Sequence, residues 1–147
     1  MTDIALQWDT DHADVAMGAA DLVADEGLET AVILSLFLDR RADADDGVPL
    51  DQDPRGWWGD TFASVAGDQV GSKLWLLGRE KQLAQVAKRA QTYATEALAW
   101  LVEEGVASEI DVQATFVAAG RLTLAIAIQR PQAPPFNRQY QYVWSAL

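Results

Sequence analysis

No cysteine occurs among the 147 residues, which removes disulfide frameworks, thiolate zinc sites and cysteine nucleophiles in one step and suits a reducing compartment. Histidine is almost as scarce. His12 is the single imidazole, and it stands in an Asp-rich turn where a solvated or locally hydrogen-bonded role fits better than general-base work. Bases are also few, with 11 Lys plus Arg against 22 Asp plus Glu and a net charge of −11. Such a chain repels phosphate, so nucleic acid and anionic membranes are excluded as expected partners. The first residues, Met1-Thr2-Asp3-Ile4-Ala5, lack the basic-then-apolar order of a secretory signal. The longest apolar run, Ala31 to Leu38, is interrupted by Ser35 and falls far short of the ~20 residues that span a bilayer. The expectation is a soluble intracellular protein.

What is present is apolar bulk. Half of the residues are hydrophobic and six are Trp, enough for one domain over 1–147 to bury about 68–70% of the surface its unfolded chain exposes. Fifteen of the 22 acids precede residue 61, giving an acidic front and a near-neutral back, read either as a solvated surface or as a face toward a partner.

The periodicity predicts an α+β fold. Ile4, Leu6 and Trp8 alternate with Ala5 and Gln7 as a short strand, and Val15-Ala16-Met17 and Leu22-Val23 read as further short extended pieces. Asp25 suits the cap of a helix running through Val32, Leu36 and Leu38, so apolar all round that it should be buried on most sides. From Ala42 to Gly56 the composition turns to Asp, Gly and Pro, a long acidic loop of the sort that tends to be functional. Leu83, Val86, Ala87, Ala90, Ala94, Ala97, Leu98 and Leu101 then mark one stripe of a helix from Gln82 to Glu104, ~34 Å long at 1.5 Å per residue, stopped by Gly105. Its charges oppose the helix dipole, with Lys81, Lys88 and Arg89 near the start and Glu103 and Glu104 at the end. This is either tolerance at a wet surface or a sign that the ends meet charged partners. Alternation over Ile110–Phe116, over Leu122–Ile128 and through Tyr140, Tyr142 and Trp144 predicts an antiparallel three-stranded C-terminal meander packed on the long helix. Its last strand should be an edge with unpaired backbone groups.

Chemical signatures are weak. Asp9-Thr10-Asp11-His12-Ala13-Asp14 begins like a calcium loop, but Ala13 takes the third ligand position and Ala20 the place of the bidentate Glu. No metal site, cofactor or catalytic residue is expected, and no nucleophile elbow, Walker or dinucleotide fingerprint is present. Two rival classes stay open: a cell-wall glycoside hydrolase with two carboxylates across a cleft, and a small-molecule binder with a Trp-lined pocket.

The aromatic middle is more informative. Trp57 and Trp58 are adjacent, so an extended chain cannot send both into one core; either they pack under the loop or one or both anchor an interface. Lys73, Arg79, Glu80 and Lys81 surround Trp75 and Leu77 like a polar rim about an apolar patch.

The order Gly27-Leu28-Glu29-Thr30-Ala31-Val32, Ser35-Leu36-Phe37, Asp39-Arg40-Arg41 and Arg55-Gly56-Trp57-Trp58-Gly59-Asp60 resembles the Mu-like phage tail proteins of the gene product 46 family. Gly71-Ser72, Leu74-Trp75-Leu76-Leu77, Arg79-Glu80-Lys81, Ala97-Leu98-Ala99-Trp100-Leu101 and Tyr140-x-Tyr142-x-Trp144 continue the likeness over nearly the whole chain. The resemblance implies a non-enzymatic subunit of a contractile-tail baseplate, made in the host cytoplasm by a phage or prophage. Its implied partners are neighbouring wedge subunits and, as an extension of that role, the tail sheath, with no small-molecule substrate. The family is distantly similar to sheath-initiating wedge proteins, which carry a Glu-Pro-Arg docking motif after the long helix. Here that stretch reads Glu103-Glu104-Gly105-Val106, without the Pro or the Arg. On this reading Trp57, Trp58 and Trp75 are aromatic anchors. Arg55, Asp60, Lys73, Arg79, Glu80 and Lys81 set register by charge, and the strand bearing Tyr140, Tyr142 and Trp144 pairs with a neighbour.

Overall fold

Alternation in the last third of the chain produces the expected sheet. The computed structural model describes residues 3–22, 24–25, 27–80, 84–118 and 120–143. In chain order the elements are β1 (Asp3–Ile4), β2 (Leu6–Asp9), β3 (His12–Val15), β4 (Ala24–Asp25), α1 (Leu28–Phe37), α2 (Ala84–Glu103), β5 (Glu109–Ala118), β6 (Arg121–Gln129) and β7 (Phe136–Val143). Strands β5, β6 and β7 form an antiparallel meander in that order, with Val112 opposite Ile126 and Leu124 opposite Tyr140. Leu122, Leu124, Ile126 and Ile128 are buried on its inner face, against α2. That helix presents Val86, Ala90, Ala94, Ala97, Leu98 and Leu101 to the core. The Ala positions leave room for sheet and helix to approach closely, so the large β6 side chains fill the space between them. Among the described residues no helix is long and apolar enough to cross a membrane.

Helix α1 lies in the same core through Val32, Ile33 and Leu36, as its nearly all-apolar sequence requires. Its cap differs from expectation. Asp25 belongs to β4, paired with Asp3, and the helix begins after Gly27, whose φ of 86° makes the entry turn without a side-chain cap. Thr30 does the fastening, donating its hydroxyl to the Ile4 carbonyl at 3.1 Å and accepting the Leu6 N–H at 3.2 Å. The N-terminal strands are thereby held over α1, and Trp8 stacks on Phe37 at a centroid distance of 3.7 Å.

Tyr140 and Tyr142 point from β7 into this aromatic group, Tyr142 stacking on Phe37 at 5.7 Å and Tyr140 meeting it edge-on. Burial pushes both phenols well above their ordinary value. Tyr140 is a core residue of the monomer and Tyr142 packs half-buried against that core, a correction to their expected place on an interaction surface. The β7 edge is also only partly open, because the Trp8 indole N–H donates to the Gln141 carbonyl at 2.6 Å and the Val143 N–H to the Thr10 carbonyl at 2.8 Å. Trp144 lies outside the described residues.

The end of α1 is tied to a distant segment by a parallel bridge between Asp39 and Ser72. The Ser72 N–H donates to the Leu38 carbonyl at 2.9 Å and the Arg40 N–H to the Ser72 carbonyl at 3.0 Å. Ser72 is buried, and its hydroxyl donates to the Leu36 carbonyl. Gly71 makes the approach possible: its φ is +93°, and a Cβ there would stand 2.3 Å from the Leu38 oxygen. Gly71→Ala should therefore cost about 2–4 kcal/mol of unfolding free energy, read as a lowered midpoint in urea denaturation. A loss below about 0.5 kcal/mol would show that the bridge is not required for stability.

Candidate protein interface

Between the two sides of that bridge the chain makes a long excursion, and its charged residues mostly fold back on the body. The acidic stretch 42–56 is not structureless. Asp43 and Asp46 flank a single 3-10 turn, Ala44–Asp46, and both carboxylates reach the Lys73 ammonium, at 2.6 and 2.8 Å. Arg55 pairs with Asp39 at 2.8 Å and lays its guanidinium 4.4 Å above the Trp75 ring. Trp75 itself is 7% exposed and donates its indole N–H to the Arg40 carbonyl at 2.8 Å. The expectation that Trp75 is a surface anchor is thus corrected. Its sequence environment looked like a polar rim, but the Arg55 guanidinium lies over its ring, while Lys73 binds Asp43 and Asp46 and so helps to clamp the excursion.

Trp57 and Trp58 behave otherwise. Arg55 (φ 58°) and Gly56 (φ 105°) turn the backbone sharply, Trp57 leaves in extended conformation, and Trp58–Phe62 forms a 3-10 turn. The Trp57 ring folds over Gly59, where a Cβ would lie 2.2 Å from ring carbon; only glycine permits that placement. Trp58 is 5.5 Å from Trp57 and 6.2 Å from Phe62 between centroids. The three side chains are 48%, 74% and 78% exposed for Trp57, Trp58 and Phe62, and Val65 beside them is also exposed. Of the two alternatives for the tryptophan pair, the exposed one holds in the monomer.

Asp60 fixes this segment. One carboxylate oxygen accepts the Val70 N–H at 3.1 Å, and the other, shielded from solvent, has no hydrogen-bond partner among the described residues. Between residues 57–71 and the two helices lies a groove of about 740 Å³, walled by Trp57 and Val65 on one side and by Leu34 of α1 and Trp100 of α2 on the other. Phe62, Val65, Leu34 and Trp100 were not singled out by sequence. Trp100 did carry a signal, since it falls off the apolar stripe of its own helix.

Of the remaining expected residues, Glu80 forms an ion pair with Arg89. Arg79 closes a 3-10 turn, Leu74–Arg79, and its side chain, like Lys81, lies outside the described residues. His12 is exposed and bonded to Asp11 at 2.7 Å. Among the described residues no three His, Asp or Glu side chains gather as a metal site.

The family model described as "Phage protein GP46" matches residues 28–135, a span that holds both helices, the excursion and the groove. The chain belongs to the GP46 family. It is 43% identical over 148 aligned positions, all of both chains, to a protein of Escherichia phage Mu named "Baseplate protein gp46". It is 39% identical over 145 residues, 99% of each chain, to "Mu-like prophage FluMu protein gp46" of Haemophilus influenzae.

The Lys73 clamp gives this GP46-family chain an acid-sensitive excursion. Partial burial opposes the charge on Asp46, but the Lys73 ammonium and the Asp43 N–H outweigh it and hold its carboxyl below the ordinary value. A lowered carboxyl adds stability above the unfolded pKa, and that stability is lost as pH falls through the folded value. Relative to the intrinsic exchange rate, which itself falls with pH, amide protection over residues 42–56 should therefore drop below about pH 4 while that of α2 and β6 persists. Asp46→Asn should remove the step and cost about 1 kcal/mol at neutral pH. Equal acid sensitivity in wild type and variant would exclude the clamp.

Proposed function

We propose that this chain is a non-catalytic structural subunit of a contractile-tail baseplate, held to neighbouring wedge subunits through the exposed aromatic cluster of residues 57–65. The carrying observation is the Trp57–Trp58–Phe62 group, placed in solvent by a backbone that glycine and positive-φ residues shape for that purpose. Large aromatics left outside a monomer core are the residue types that dominate interface energetics. The name of the phage Mu relative, similar over its full length, supports the same reading. Arg55, Lys73 and Trp75 serve it indirectly, by holding the excursion that presents the cluster. The finer part of the proposal adds the first sheath ring as a partner, with the edge strand β7 as the segment that would pair with it.

Trp57→Ala and Trp58→Ala should both leave the fold intact, Trp58→Ala with its thermal midpoint nearly unchanged because that side chain stands largely in solvent, and Trp57→Ala with a modest drop because its half-exposed ring packs over Gly59. Each should weaken co-purification with the baseplate proteins encoded beside this chain by about thirtyfold or more, the loss typical of an interface anchor. Normal tail assembly in both variants would sink the anchor role. Release of sugar fragments from purified cell wall by the isolated protein would instead favour hydrolysis.

A further inference from the structure

The groove behind the aromatic cluster has a charge pattern that states what it receives. Leu34, Trp57, Val65 and Trp100 form an apolar strip within a lining that is otherwise largely polar and small. The Trp100 indole N–H donates to the Ser35 hydroxyl at 3.0 Å, and that hydroxyl donates to the Ala31 carbonyl at 2.7 Å, so Trp100 stands as an ordered plate that is still 38% exposed. A side chain already immobilised costs little further entropy when a partner covers it. The charged groups that line the groove are all acidic: Asp60, Asp68, Glu103 and Glu104. None forms an ion pair among the described residues, whereas Arg55, Lys73, Arg89 and Arg138 each have a carboxylate partner elsewhere.

Glu103 and Glu104 also sit at the C-terminal end of α2, a helix of 20 residues with no base in its last turn. There the helix dipole is already negative, so these carboxylates raise the negative potential instead of offsetting it. A groove that combines an apolar strip with charged lining residues that are all acidic suits an amphipathic ligand with cationic flanks. Nucleic acid and anionic lipid are repelled. A second copy, with its net charge of −11, is repelled as well.

We propose that this groove receives an amphipathic segment of another baseplate protein, its apolar side chains against Leu34, Trp57 and Trp100 and its Lys or Arg side chains against Glu103, Glu104 and Asp68. The assignment rests on the baseplate reading above and names the chemistry of one partner within it.

Two measurements test it. Tail particles carrying this chain are treated with a zero-length carbodiimide, which joins carboxylates to lysines in contact, and the linked peptides are sequenced. Glu103, Glu104 or Asp68 should be joined to a lysine that flanks apolar residues in a different subunit. The full chain is then co-expressed with the adjacent baseplate proteins, as wild type, as the double variant Glu103→Gln/Glu104→Gln, and as Trp100→Ala. The double variant should bind about tenfold more weakly and lose much of the salt dependence, yet melt at the same or a higher temperature, because removing acids from a helix C-terminus stabilises the free protein. A purely structural role would move binding and melting together.

Unchanged affinity and salt dependence in the double variant overturn the proposal. So do cross-links from these acids only to a second copy. Absence of the chain from tail particles defeats the baseplate reading itself, an outcome distinct from a wild-type complex that ignores the groove variants.

Discussion

The bridge between Asp39 and Ser72 is the constraint on which the presented surface depends. Two backbone hydrogen bonds and one buried hydroxyl join the end of α1 to the segment leading toward α2. Everything from Arg40 to Gly71 is an excursion closed by that contact. Closing a loop of this length costs about 3 kcal/mol of chain entropy before any contact within it is counted. The closure is supported by burial, because Leu74 and Leu77, just beyond Ser72, join the core cluster with Leu36. Residues that bear no chemistry of their own therefore set where the aromatic cluster stands.

Within the excursion, charge is used twice and in opposite senses. Arg55 and Lys73 find carboxylates in the same chain, and with Trp75 they fasten the first half of the loop to the body. Pairs near the surface contribute little singly, but here each also orders a stretch of backbone: Lys73 gathers the Asp43–Asp46 turn, and Arg55 covers the Trp75 ring. With those bases occupied inside, the second half, residues 57–71, presents its aromatic side chains and Asp68 to solvent, while Asp60 turns inward to the Val70 N–H. The division of labour separates residues that shape the loop from residues available to a partner, although both kinds occupy one stretch of sequence.

Much of the fold was legible, and the reasons are local. The β5–β6–β7 meander follows from period-2 alternation, and the stripe from Val86 to Leu101 follows from spacings of three and four; both patterns survive because one face meets the core and the other meets water. Where packing overrides local preference, the reading departs from the structure. Asp25 has the chemistry of a helix cap, but its backbone is drawn into a strand pair with Asp3, and Gly27 makes the turn. The exposure of Trp57 and Trp58 was legible, since their adjacency forbids joint burial in an extended chain. The place of Trp75 was misread, because its ring is buried and covered by Arg55, a residue distant in sequence. Tyr140 and Tyr142 gave a correct strand face, but no periodicity reveals that Trp8 and Phe37 cover it. Side chains that converge from remote segments leave no spacing to read, which is also why the groove partners Leu34 and Trp100 were passed over.

A chain that displays Trp57, Trp58, Phe62 and Val65 together carries the type of contiguous apolar patch that drives non-specific association. The excess of acid answers that hazard. At a net charge of −11 two copies approaching through the same patch bring like charges together, and the unpaired carboxylates around the groove lie close to where they would meet. The same field lowers the barrier for a cationic partner and raises its encounter rate. One distribution of charge thus disfavours self-association through the aromatic surface and, on the binding mode proposed above, steers a cationic partner, with the cost carried by Glu103 and Glu104 at the unfavourable end of α2. In an assembly built from several proteins in fixed order, a surface that is adhesive only toward opposite charge is a means of setting that order without catalysis.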